Sequence, residues 1–185
     1  MKNRSIILFA AGIMTLFIWS SCTKAEKNVT EQPTNELLTT VQLKAVNTQD
    51  PTDTPSAKWV SIPGGSLDTS NAVLYLKNSA VYDLSVIFLD ESKTPASDIT
   101  ADIRARGNYH LVCFGISGAL SLGIVPTDHD TNSPSLPIGL RNRVTTNLIG
   151  TGNLEVTLHH QPNVKNGDCA PGSIDADVNF RVHVD

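Results

Sequence analysis

The last third of the chain carries two long alternations, and they restrict its fold more than any other feature. Leu154, Val156, Leu158 and His160 fall on one face of a strand whose other face carries Glu155, Thr157 and His159. Ala176, Val178, Phe180, Val182 and Val184 share one face of a second strand, opposite Asp175, Asp177, Asn179, Arg181 and His183. Side chains of an extended chain point alternately to its two faces, so each strand is apolar on one side only and that side has to be covered. Two such strands joined by Gln161 to Ser173 predict a hairpin whose apolar faces meet a second sheet.

Upstream segments repeat the pattern. From Leu37 to Val46 the residues Leu37, Thr39, Val41, Leu43 and Ala45 share one side; Lys58 to Ile62 is stopped by Pro63-Gly64-Gly65; Val73 to Lys77 is a third strand. Val81 to Leu89 places Tyr82, Leu84, Val86 and Phe88 on one face and Ile87 and Leu89 on the other, which predicts a central strand covered on both sides for part of its length. Tyr109 to Phe114 and Leu120 to Val125 follow, joined by a turn containing Gly115 and Gly118. Between Pro95 and Arg106, Ser97 can cap a short helix in which Ile99 and Ile103 share a face, with Gly107 ending it. The expectation is an all-β chain: a single β-sandwich of immunoglobulin-like, Greek-key type over residues 36–185, with about eight or nine strands and one short helix.

The first residues set the address. Lys2 and Arg4 precede an apolar run from Ile6 to Trp19, shorter than the ~20 residues of a spanning helix, which ends in Ser20-Ser21-Cys22. This reads as a lipoprotein signal peptide over residues 1–21, with the thiol of Cys22 as the lipid attachment point. Trp19 stands where such signals usually carry Leu, and an ordinary secretory signal with a chance cysteine is the alternative. Residues 22–35 are polar and predict a flexible tether. Removing Met1 to Ser21 from 185 residues leaves 164, the size of one domain, and leaves 12 basic residues against 18 acidic ones, because the leader holds only Lys2 and Arg4. No basic patch is visible, so a nucleic-acid partner has no electrostatic support. Of the remaining cysteines, Cys113 and Cys169, an exported compartment permits a disulfide; Cys113, alternating with Tyr109 and Leu111, equally suits a buried thiol.

Three groups of residues stand out as candidates for chemistry. Asp128, Asp130 and Asn132 have the one-three-five spacing of oxygen ligands in a calcium loop, but position six is Ser133 rather than Gly and position twelve is Gly139 rather than Glu. Asp and Asn also favour turns for local reasons. His159 and His160 are adjacent in a strand and point to opposite faces, whereas His159 with His183 could meet on an outer face. The Gln161 to Ser173 connection is far longer than a hairpin needs, with Asn163, Lys165 and Asn166 near its tip and Pro162 and Pro171 stiffening its arms. It is either a contact surface or a cover for a sheet edge. No activated nucleophile is recognisable: there is no Gly-x-Ser-x-Gly elbow, and Cys113 has no activating neighbours in sequence.

Several blocks resemble a family. Asn35-Glu36-Leu37-Leu38-Thr39-Thr40-Val41, Phe88-Leu89-Asp90-Glu91-Ser92, Asp98-Ile99-Thr100, Asp128-His129-Asp130-Thr131-Asn132, Leu136-Pro137-Ile138-Gly139-Leu140 and above all the run from Gly152 to Gly167 are similar to successive segments of an uncharacterised group of small Bacteroidota lipoproteins. The group is often labelled with a type 1 periplasmic-binding fold, a two-domain α/β architecture for which this chain has neither the length nor the alternating helices. Members tend to carry an acidic helix where Arg104 and Arg106 stand here, and an Asp-Gly-rich loop where Pro63-Gly64-Gly65 stands.

The expected function is therefore that of a cell-envelope lipoprotein, anchored to the outer membrane through Cys22, with a non-catalytic binding or accessory role toward an envelope protein or glycan and no cofactor. The alternative is an ion-linked or metal-linked ligand-binding lipoprotein using the Asp128/Asp130 loop, with calcium as the ion, or the histidines.

Overall fold

The computed structural model describes residues 37–185. The leader, Cys22 and the tether lie outside the described residues. Eleven strands and one helix follow in order: β1 (Thr40–Asn47), β2 (Ser56–Ser61), β3 (Leu67–Asp68), β4 (Val73–Leu76), β5 (Val81–Asp90), β6 (Ser97–Asp98), α1 (Ile99–Ala105), β7 (His110–Gly118), β8 (Leu122–Pro126), β9 (Arg141–Thr146), β10 (Gly150–His160) and β11 (Ser173–Val184). One sheet runs β3-β2-β1-β5-β9-β8 with β6 also on β5; the other runs β4-β11-β10-β7. Among the described residues only the β4/β11 pair is parallel.

The alternating faces meet as expected. Val41 and Leu43 of β1, Leu84, Val86 and Phe88 of β5, Leu154, Val156 and Leu158 of β10, and Val178, Phe180 and Val182 of β11 form one buried cluster between the sheets. Each is apolar at every second position, so each contributes a full face to the core without burying backbone donors, which the ladders satisfy. β5 is central in its sheet, paired with β1 on one side and with β9 and β6 on the other.

Three local expectations change, and the strand β9 was not anticipated. β9 has no apolar alternation to announce it, since its inward residues are Asn142, Val144 and Thr146. Both polar ones find a partner where they stand: Asn142 Nδ2 donates to Gly139 O at 2.8 Å, its Oδ1 having none among the described residues, and Thr146 Oγ1 donates to Lys77 O at 2.7 Å. β7 continues through Gly115 to Gly118, and β7 and β8 lie in opposite sheets rather than forming a hairpin. The α1 cap is Asp98, whose carboxylate accepts from Thr100 N–H at 2.9 Å, while Ser97 pairs with Asp90. A bulge between Leu158 and His159 interrupts the β10 alternation, so that His159 is buried.

Candidate functional site

Three connections meet at one end of the sandwich: the turn Gly107–Tyr109 between α1 and β7, the β8–β9 loop, and the β10–β11 loop. The β8–β9 loop folds into a small ladder of its own. Asp130 N–H donates to Leu136 O and Ile138 N–H to Asp128 O, around a bridge between His129 and Pro137. Val112 N–H then donates to Ile138 O at 2.8 Å and holds this ladder against the free edge of β7. Gly139 makes that approach possible, because it has a φ of +81° and a side chain there would stand 2.6 Å from Val112 O.

The β10–β11 loop is fastened to the same edge. Its disulfide, Cys113–Cys169, ties it to β7, and Gln161 N–H donates to Tyr109 O. The Gln161 amide is fully buried and donates to Asp168 O at 2.8 Å and Pro171 O at 2.9 Å, closing the loop on itself. The loop therefore covers part of the β7 edge and at the same time stands as a wall.

The decisive contact joins two residues that sequence reading had assigned to separate features. Lys165, expected near an exposed tip, turns inward; its Nζ lies 2.8 Å from Asp130 Oδ2 and also donates to Gly107 O at 2.8 Å. The side chains of Lys165 and Asp130 are 2% and 0% exposed. Asp130 further accepts from Leu136 N–H at 2.8 Å, Asn132 N–H at 3.1 Å and Asn132 Nδ2 at 2.9 Å. Burial pushes the Asp130 carboxyl up, but the Leu136 amide, the Lys165 ammonium and the Asn132 amide outweigh it and hold the group below its ordinary range.

The calcium-loop residues do not converge. Asp130 faces an ammonium, Asn132 turns its amide nitrogen toward Asp130, and Asp128 Oδ1 accepts from Gly139 N–H at 2.9 Å. Asp128 Oδ2 is buried and has no hydrogen-bond partner among the described residues. The histidines are likewise apart: His159 bonds Thr157, while His183 bonds Thr151 and stacks on Tyr75 at the far end of the β10/β11 pair. His160 instead stacks on His110 of β7, ring centroids 5.0 Å apart, a cross-strand pair that single-strand periodicity had no means of revealing. Among the described residues no group of three or more His, Cys, Asp or Glu is placed to hold a metal ion.

Above the buried ion pair lies a cleft of about 620 Å³ whose walls include Asn108 and Tyr109 from the turn, Asn132 and Ser133 from the β8–β9 loop, and Asn163 and Asn166 from the β10–β11 loop. Asn163, Lys165, Asn166 and Asn132, drawn from two separate sequence candidates, thus border one concavity. Asn108 and Tyr109 were not singled out from sequence; an isolated Asn-Tyr after a helix carries no motif, and only the meeting of loops gives it a place. The fold and the site define an all-β sandwich with a polar, loop-walled cleft at one end. No family model, curated protein or solved structure matches the chain.

Proposed function

We propose that the chain is a cell-envelope lipoprotein, anchored through Cys22 to the outer membrane, with a non-catalytic binding or accessory role exercised at the cleft. The observation that carries this reading is the fastening of both long loops around one concavity. A disulfide, a buried ion pair and the Gln161 amide hold the walls in place before any ligand arrives, and walls ordered in advance reduce the entropic cost of binding. The basic head, the apolar run and Ser20-Ser21-Cys22 support the anchor, as does the resemblance to small Bacteroidota lipoproteins. The anchor is tested by metabolic labelling with a fatty-acid probe, which should mark the wild type and not Cys22→Ser. The role is tested by comparing cells carrying the wild type with cells carrying Ser133→Trp, which fills the cleft. Unchanged binding of envelope material by that variant would remove the cleft from the function.

One observation keeps an ion-linked reading alongside: the buried Asp128 Oδ2 has no partner among the described residues, and a carboxylate oxygen so placed is open to a cation. A calcium titration followed by thermal shift separates the two. Stabilisation that disappears in Asp128→Asn would favour the ion.

A further inference from the structure

We infer that the occupant of the cleft is an uncharged saccharide. The inference rests on the proposed function, in which this cleft is the contact surface, and it names the chemistry of the ligand. The first argument is charge. Among the described residues Lys165 is the one charged residue in the cleft lining, and its ammonium is already engaged by Asp130 and the Gly107 carbonyl with the side chain 2% exposed. No free charge among the described lining residues faces the cleft to select an anion or a cation. A phosphorylated or carboxylated ligand would find no guanidinium or ammonium to meet it there.

The second argument is the kind of hydrogen bonding left over. Asn108 Oδ1 accepts from the Thr131 N–H and hydroxyl, and Asn132 Nδ2 donates to Asp130 and Asn108 O. That leaves Asn108 Nδ2, Asn132 Oδ1, the Ser133 and Tyr109 hydroxyls and the whole Asn163 amide without an intramolecular partner among the described residues. These groups are neutral, and together they offer both donors and acceptors. A sugar hydroxyl also donates and accepts, so a ring of amides and hydroxyls pairs with several at once. A peptide strand would ask instead for a regular edge of backbone N–H and C=O groups. The cleft's free groups belong to loop side chains.

Two further features agree. Tyr109 supplies aromatic surface in the wall, with Pro134 and Leu136 beside it, and such surface receives the C–H faces of a pyranose while the hydroxyls turn to the amides. The volume, about 620 Å³, lies in the ~300–1,000 Å³ range of small-ligand sites and suits a short saccharide stretch.

The test uses the full chain in detergent, titrated calorimetrically with neutral hexasaccharides built from glucose, mannose, xylose and N-acetylglucosamine, and with hexagalacturonate as the anionic arm. Asn163→Gly is the key variant. Asn163 sits at a φ of +60°, which glycine adopts freely, so the fold is retained while the amide is lost. Binding of a neutral hexasaccharide is expected, weakened about tenfold in Asn163→Gly at unchanged melting temperature, and weakened further in Tyr109→Ala. A preference for hexagalacturonate, no binding of any neutral probe by the folded chain, or equal affinity in Asn163→Gly overturns the inference. A photo-crosslinker at Val164, an exposed residue of the β10–β11 loop that does not line the cleft, distinguishes in living cells how it failed. A protein adduct there replaces the saccharide but keeps the cleft as the contact surface, and no adduct alongside no glycan binding removes both.

Discussion

Lys165 Nζ and Asp130 Oδ2 stand 2.8 Å apart in a site almost closed to water, and they join the two longest loops of the described domain. Burying both charges costs hydration that their attraction only partly returns, so the pair contributes more to a single loop arrangement than to net stability. Breaking it from one side is another matter. Lys165→Met leaves the Asp130 carboxylate without its counter-charge in a buried site, and a loss of about 3–5 kcal/mol is expected. Urea denaturation of the two single variants and of Lys165→Met with Asp130→Asn checks this. The double variant should lose less than the two singles added together, because neither is then left with an unpaired charge. Additive losses would mean that the pair is not coupled.

The Cys113–Cys169 disulfide spans a sequence separation of 56. Closing so long a loop restricts the unfolded chain, and about 2–4 kcal/mol of stability is expected from it. Cys169→Ser leaves Cys113 as a small buried thiol and isolates this effect. Its denaturation midpoint should fall to that of the reduced wild type, and should itself be indifferent to reductant.

Acid should weaken the domain in two stages. Burial holds the His110 imidazole below its ordinary value of 6.5, reinforced by the charges of His160 and Arg106 and opposed by the hydrogen bond to Arg106 O and by Asp175. Between 6.5 and the lower folded value, the unfolded chain binds the proton and the folded one does not, so this share of stability is complete above 6.5 and falls as the pH drops. Asp130 acts lower: its folded value lies below the ordinary 3.8, so its share survives to that pH and is lost beneath it. Stability measured from pH 8 to 5 should decline for the wild type and decline less for His110→Gln. Equal slopes would exclude His110 as the cause.

Phe180 is fully buried between the sheets, whereas Val125 on β8 is 62% exposed. Phe180→Asp puts an unpaired charge in the core and should abolish cooperative unfolding, while Val125→Asp should shift stability by no more than about 0.5 kcal/mol. Near-ultraviolet circular dichroism with thermal melts reads both outcomes.

The sandwich was legible because its largest strands obey a local rule. Val41, Leu43, Leu84, Phe88, Leu154, Phe180 and Val182 recur at every second position, and burying such faces leaves little choice but to stack two sheets. β9 was invisible for the opposite reason. Asn142 and Thr146 are inward-facing yet polar, and their burial is tolerable only because Gly139 O, Lys77 O and Ala80 stand beside them in space. The site divides in the same way. Asp130, Asn132, Asn163, Lys165 and Asn166 drew notice from sequence as a spaced acidic loop and an overlong hairpin connection. That the first loop's carboxylate would meet the second loop's ammonium could not be read, since the partners are 35 residues apart and neither carries a periodic signal. Repeating patterns along one strand encode which face is buried. Which loops meet depends on the crossing of β7 and β8 into opposite sheets, a long-range choice made by the whole core and decided only by the tertiary structure.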